Sequence, residues 1–93
     1  MPRSLQCLIS GKVQEVMFRS WVLDQAQSLD VKGWVRNLSD GKVELLAQGD
    51  EDKINELRVR ILAGANLSSA KVENVDCQWL DYDKEHTTFE MRT

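Results

Sequence analysis

The sequence is poor in the residues that build metal sites. Its 93 residues include one histidine, two cysteines and one proline. A structural zinc site needs about four closely spaced Cys or His ligands, whereas Cys7, Cys77 and His86 form no such cluster and no CxxC pair. We therefore expect no metal site. We interpret both cysteines as small, buried apolar residues that stay reduced.

Long apolar runs and an excess of positive charge are also missing. No segment approaches the roughly 18–20 apolar residues of a membrane helix, and residues 1–5 do not begin a secretory signal. We therefore expect a cytoplasmic location and no membrane partner. Because 12 basic and 15 acidic side chains give a net charge of −3, no general positive field is present to hold nucleic acid. A small anion could still bind locally to backbone amides and one arginine.

The length and composition are those of one small domain. With 42% hydrophobic and 29% charged residues, the chain resembles an ordinary globular protein with a single core. We expect one domain over residues 1–93. Nothing in the sequence requires more than a monomer.

Periodicity predicts a strand and then a helix at the start of the chain. Leu5, Cys7 and Ile9 alternate with other residues, which is typical of a strand, and we expect Gly11 to end it. A stripe of apolar residues with helical spacing follows: Phe18, Val22, Ala26 and Leu29. One face of the strand and one face of the helix are therefore expected to meet in the core.

A hairpin and a second helix follow. Strands over residues 31–38 and 42–48 flank Ser39-Asp40-Gly41, whose Asp-Gly pair favours a tight turn. Asp50 is a good N-cap for the next helix, and Gly64 is expected to stop it. The apolar stripe of this helix consists of Ile54, Leu57 and Ile61.

A long strand and a short strand complete the pattern. The apolar positions of the long strand change phase, which indicates a bulge near Glu73-Asn74; they are Val72, Val75, Cys77 and Trp79. Phe89 and Met91 mark the short strand. The order strand, helix, strand, strand, helix, strand, strand predicts an α+β, ferredoxin-like fold. Both helices are expected on one face of an antiparallel sheet.

The segment from Gly11 to Arg19 is the first candidate for chemistry. It joins the first strand to the first helix, so its backbone amides lie at a helix N-terminus, where unpaired N–H groups and the helix dipole favour an anion. Arg19 could add a bidentate contact to a phosphate. The alternative is that Arg19 is a surface residue and the loop only a connector.

Asn37 is the second candidate. Asparagine is disfavoured inside strands, and yet Asn37 ends a run that is otherwise typical of one. Its amide offers an acceptor and two donors, so it could align a water molecule beside an anion. The alternative is an asparagine that merely starts the turn before Ser39-Asp40-Gly41.

Two stretches together resemble the signatures of the acylphosphatase family. They read Gly11-Lys12-Val13-Gln14, then Val16-Met17-Phe18-Arg19, and Gly33-Trp34-Val35-Arg36-Asn37 followed by Gly41-Lys42-Val43-Glu44. The resemblance extends over essentially the whole chain. It implies a βαββαβ ferredoxin-like core with one further strand. It also implies a hydrolase, without metal or cofactor, of the carboxyl–phosphate bond in small acyl phosphates such as acetyl, carbamoyl or phosphoglyceroyl phosphate.

The resemblance also implies a role for each matching position. Arg19 would clamp the phosphate and Asn37 would orient the attacking water for in-line displacement. Backbone amides would line the phosphate cradle, namely those of Gln14, Glu15, Val16, Met17 and Phe18. The products would be a carboxylate and inorganic phosphate. Phosphoryl transfer depends mainly on positioning and charge stabilisation, and the carboxylate is a good leaving group, which agrees with the lack of acid–base residues.

Glu15 departs from the family pattern, which has glycine at this position. A non-glycine residue at positive φ costs on the order of 1 kcal/mol, and a carboxylate 4 Å from a phosphate adds about 1 kcal/mol of repulsion in water. The alternative function is therefore a catalytically weakened domain that binds anions or a partner protein. An RNA-binding ferredoxin-like domain is disfavoured, because residues 5–10 carry no aromatic side chain and the chain is acidic.

Overall fold

The computed structural model describes residues 3–14, 17–63, 70–81 and 84–92. Within these ranges, five strands and two helices form in the order strand, helix, strand, strand, helix, strand, strand, as predicted. The elements are β1 (Arg3–Lys12), α1 (Phe18–Ser28), β2 (Lys32–Asn37), β3 (Val43–Gly49), α2 (Glu51–Leu62), β4 (Lys71–Leu80) and β5 (Phe89–Arg92).

The five strands form one sheet in the order β4-β1-β3-β2-β5. The first four strands pair antiparallel, which is the ferredoxin-like arrangement that the pattern predicts. The added strand β5 runs parallel to β2 instead, so the sheet is mixed rather than wholly antiparallel. The parallel pairing brings Arg92 beside Arg36, at the end of β2.

Gly11 carries β1 past the point where the sequence predicts its end. Ser10 pairs with Asn74 but Gly11 pairs with Val72, so Glu73 is the extra residue of a bulge in β4. The predicted bulge is therefore confirmed. Gly11 has φ +126°, and a Cβ there would lie 2.2 Å from the carbonyl oxygen of Lys71. Only glycine lets the two backbones approach this closely, so β1 continues to Lys12.

Both helices cover the same face of the sheet and enclose the core. The alternating positions of β1 and the predicted stripes of both helices are buried against one another, which confirms the predicted burial pattern. The buried side chains of these three elements include Leu5, Ile9, Phe18, Val22, Ala26, Ile54, Leu57 and Ile61. Among the described residues, no helix is long and apolar enough to cross a membrane.

The opposite face of the sheet carries a polar network. Gln78 donates to Gln6 (2.8 Å), and the amide of Gln6 donates to the carboxylate of Glu44. Arg36 pairs with the other oxygen of that carboxylate. Glu44 is only 8% exposed, so its charge depends on these partners. Hydrogen-bonded side chains therefore cover this face of the sheet, whereas the two helices cover the other face.

The two cysteines form a disulfide, so the interpretation of both as reduced thiols is wrong. Cys7 on β1 lies directly opposite Cys77 on β4 in the strand register, with their Cα atoms 4.0 Å apart. Both side chains project from the face that the helices cover. Seventy residues separate them along the chain, so only the strand pairing brings the sulfur atoms together.

Candidate active site

The N-terminus of α1 presents backbone N–H groups that the helix itself leaves unpaired. The first N–H groups of a helix have no partner within it, and the N-cap residue Met17 makes no side-chain hydrogen bond that would satisfy them. The first turn contains no acidic residue that would neutralise the positive end of the helix dipole. Phe18, the first residue of the helix, is fully buried and fixes its position. This end of α1 therefore has the properties of an anion site.

Arg19 reaches from α1 to the last strand. Its guanidinium donates from Nη1 to the backbone carbonyl of Arg92 (2.7 Å) in a partly buried bond. Arg92 lies beside Arg36 in the sheet, one residue before Asn37 on β2. The contact therefore holds the Arg19 guanidinium at the end of the sheet where β2 terminates. The carbonyl uses part of the guanidinium only, since arginine has five N–H donors.

Asn37 is the last residue of β2 and shares the helix-covered face with Val35. Its side-chain oxygen Oδ1 is buried and accepts no hydrogen bond from any residue in the described part of the chain. Leaving a buried acceptor unpaired costs roughly 1–3 kcal/mol. A donor from a bound molecule would remove that cost, so Oδ1 is a candidate binding group.

The turn that follows does not use the side-chain oxygen of Asn37. The hairpin is closed by a hydrogen bond from the N–H of Leu38 to the carbonyl of Lys42 (2.8 Å). The N–H of Lys42 also donates to the carboxylate of Asp40 (3.0 Å). Asp40 therefore provides the turn function that would otherwise explain an asparagine here.

Gln14 links the loop before α1 to this hairpin. Its side-chain Nε2 donates to the carbonyls of Leu38 (2.6 Å) and Lys42 (2.8 Å). The sequence pattern predicts a role only for the backbone N–H of Gln14. No sequence signal identifies the side-chain contacts, because the partners lie 24 and 28 residues away and are backbone oxygens. Likewise, no pattern marks the carbonyl of Arg92 as a partner of Arg19.

The structure therefore brings three predicted site residues to one end of the sheet. Gln14 contacts the hairpin just beyond Asn37. Arg19 contacts Arg92 on β5, which lies beside Arg36, the residue before Asn37. Met17 is 60% exposed at the start of α1. Glu15 and Val16, which the sequence also places in the cradle, lie outside the described residues.

His86 lies away from this end of the sheet. It precedes β5, whose first residue, Phe89, pairs with Gly33 near the opposite end of β2. Burial, reinforced by the positive charges of Lys84 and Arg92, lowers the pKa of His86. Within the described ranges, no group of three or more His, Cys, Asp and Glu side chains is arranged to hold a metal ion.

An uncapped helix N-terminus, an arginine and the buried amide oxygen of Asn37 meet at one end of a ferredoxin-like sheet. The chain is therefore a small α+β protein with a candidate anion site at that end. Comparison with known proteins gives the family. The acylphosphatase family model matches residues 5–91, so the chain belongs to the acylphosphatase family and is an enzyme of the hydrolase class.

Individual relatives agree over nearly the full length. An acylphosphatase from Pelotomaculum thermopropionicum is 42% identical over 84 residues, which cover 90% of this chain and 89% of the relative. The solved acylphosphatase of Coxiella burnetii superposes with a TM-score of 0.88 at 36% identity, covering 98% of this chain and 93% of that one. The acylphosphatase of Bacillus subtilis gives a TM-score of 0.90 at 28% identity, with both chains covered completely.

Proposed function

We propose that the chain hydrolyses small acyl phosphates to a carboxylate and inorganic phosphate without a metal ion. The observation that carries the proposal is the buried, unpartnered Oδ1 of Asn37 at the same sheet end as Arg19 and the uncapped N-terminus of α1. A phosphate needs donors and a positive charge, while a water needs an acceptor beside it. Family membership supports the same chemistry.

The phosphate is held by backbone and guanidinium donors. The amides at the start of α1, together with those of residues 14–18, donate to phosphate oxygens. Arg19 donates to the phosphate the N–H groups that are not bonded to the Arg92 carbonyl. This contact orients the guanidinium before substrate binds, so less side-chain entropy is lost on binding. The donors are therefore pre-organised for the charge of the transferred group.

Asn37 orients the nucleophile. Its Oδ1 accepts a hydrogen bond from a water molecule, which attacks phosphorus on the side opposite the acyl oxygen. A new P–O bond forms as the bond from phosphorus to the acyl oxygen breaks, and the carboxylate leaves with the electron pair of that bond. The water proton passes to an oxygen of the phosphate. Because a carboxylate is a stable leaving group, no side chain has to protonate it.

The first experiment measures hydrolysis of acetyl phosphate and benzoyl phosphate by the purified chain, with and without EDTA. Activity that EDTA abolishes contradicts the metal-free mechanism. Arg19→Ala is expected to weaken inhibition by inorganic phosphate about 10–100-fold, because a hydrogen bond to a charged group contributes roughly 1.5–3 kcal/mol. Asn37→Ala is expected to lower kcat about 100-fold and to change phosphate inhibition less.

Matched controls lie on α2. Arg58→Ala and Asn55→Ala remove the same side-chain types from half-buried positions of that helix. Both control variants are expected to keep the activity of the unmodified chain. Full activity in Arg19→Ala or Asn37→Ala rejects the role assigned to that residue.

The alternative is a weakened enzyme that mainly binds anions or a partner, and it depends on Glu15. Glu15→Gly is expected to raise kcat/KM for an acyl phosphate about tenfold, because it removes both a charge and a side chain from the cradle. Unchanged kinetics in Glu15→Gly contradict the repulsion argument. An unmodified chain that binds phosphate but does not hydrolyse either substrate favours the alternative function.

A further inference from the structure

The side chain of Gln14 links the loop before α1 directly to the hairpin after Asn37. Its amide nitrogen has two hydrogens, and its two acceptors are the carbonyls of Leu38 and Lys42. These carbonyls flank the turn immediately beyond the Asn37–Val43 pair. The amide therefore spans both strands of the hairpin at the point where Asn37 ends β2.

The loop has a fixed neighbour on each side of this contact. Val13, next to Gln14, is completely buried, and so is Phe18 at the start of α1. The core thus fixes where the loop leaves β1 and where it enters α1. The Gln14 contacts fix the distance between the loop and the end of β2, where Asn37 lies.

The distance between the loop and Asn37 matters little for overall stability but strongly for the proposed reaction. Both hydrogen bonds are exposed to solvent, and such bonds contribute little to folding because water replaces them. In the proposed reaction, however, the loop amides hold the phosphate and Asn37 holds the water. A displacement of about 1 Å between reacting groups can cost 100-fold in rate.

We propose that Gln14 is a positioning residue that sets the distance between the phosphate cradle and the water held by Asn37. This inference rests on the proposed function, and it assigns to the side chain a role beyond that of the backbone amide. Loss of the side-chain amide leaves Arg19 and the helix amides in place, so phosphate still binds. The attacking water then stands at the wrong distance from phosphorus.

The test uses two substitutions and one matched control. Gln14→Met keeps the length of the side chain and removes both donors. Gln14→Glu replaces the donors with a carboxylate that can only accept while ionised, and it faces two carbonyl oxygens. Gln78→Ala is the control, because Gln78 donates to Gln6 on the opposite face of the sheet.

Gln14→Met is expected to lower kcat for benzoyl phosphate at least tenfold, while inhibition by inorganic phosphate changes less than threefold. Gln14→Glu is expected to be slower still at pH 7.5. Its activity relative to the unmodified chain should recover toward pH 5, because a protonated carboxyl regains one donor. Gln78→Ala is expected to leave kcat and phosphate inhibition unchanged.

Two results overturn the inference. In the first, Gln14→Met keeps its kcat within threefold. In the second, kcat and phosphate binding fall together with the melting temperature, which indicates a general loss of structure. If the unmodified chain does not hydrolyse acyl phosphates, the proposed function itself is wrong. If the unmodified chain is active and Gln14→Met keeps the same kcat, only the role of Gln14 is wrong. Phosphate binding is measured by ³¹P NMR. A Gln14 variant that still binds phosphate is folded, which distinguishes a loss of positioning from misfolding.

Discussion

The disulfide between β1 and the edge strand β4 makes stability depend on the redox state. The bond joins residues 70 positions apart, so it removes a large amount of chain entropy from the unfolded state. For a loop of this length, the entropy is about 15 cal/mol/K, or about 4 kcal/mol at 25 °C. Each kcal/mol shifts the melting temperature of a domain this small by roughly 4–8 °C. Reduction is therefore expected to lower the melting temperature by roughly 15–30 °C.

The assay compares thermal unfolding, followed by circular dichroism, with and without a phosphine reductant. A Cys7→Ala, Cys77→Ala double variant is the control, since a reductant should not change its melting temperature. The expected thiol count of the unfolded, unreduced chain is zero. Two thiols per chain before reduction, or a shift below about 5 °C on complete reduction, would refute the reasoning.

Two further predictions concern stability. Gly33→Ala is expected to destabilise the fold by about 3 kcal/mol or more, because Gly33 has φ +131° and a Cβ would lie 1.9 Å from the carbonyl oxygen of Leu46; an unchanged urea midpoint would contradict this. The lowered pKa of His86 means that the unfolded state takes up a proton more readily. Stability is therefore expected to be complete above the ordinary histidine pKa of about 6.5 and to fall as pH drops through and below it. His86→Asn should show a smaller loss between pH 7.5 and pH 5 in urea unfolding, and an equal loss in both proteins would exclude His86 as the cause.

Local patterns predicted the elements of the fold because each element depends on nearby residues. The stripe from Phe18 to Leu29 has helical spacing, and the Asp40-Gly41 pair favours a tight hairpin. The change of phase before Val75 indicated the bulge, which the structure places at Glu73. These features need only the residues a few positions away, so they can be read from the sequence.

Features that depend on distant partners could not be read in this way. The disulfide requires β4 to pair with β1 in one register. The parallel pairing of β5 with β2 requires the chain to pass from one edge of the sheet, at β4, to the other. The paired motifs predict Asn37 and Arg19 as site residues. The motifs do not predict the contacts around these two residues, because Arg19 and Gln14 bind backbone oxygens, which every residue possesses.

The contact between Arg19 and Arg92 has a consequence for the order in which the protein matures. Arg19 is made early in synthesis, whereas β5 is the last element in chain order. The guanidinium reaches its observed orientation only after β5 has docked beside β2. Partly synthesised chains can therefore form helix α1 without orienting the arginine. We expect enzymatic activity to appear at the end of folding, as a reporter that the whole sheet has assembled.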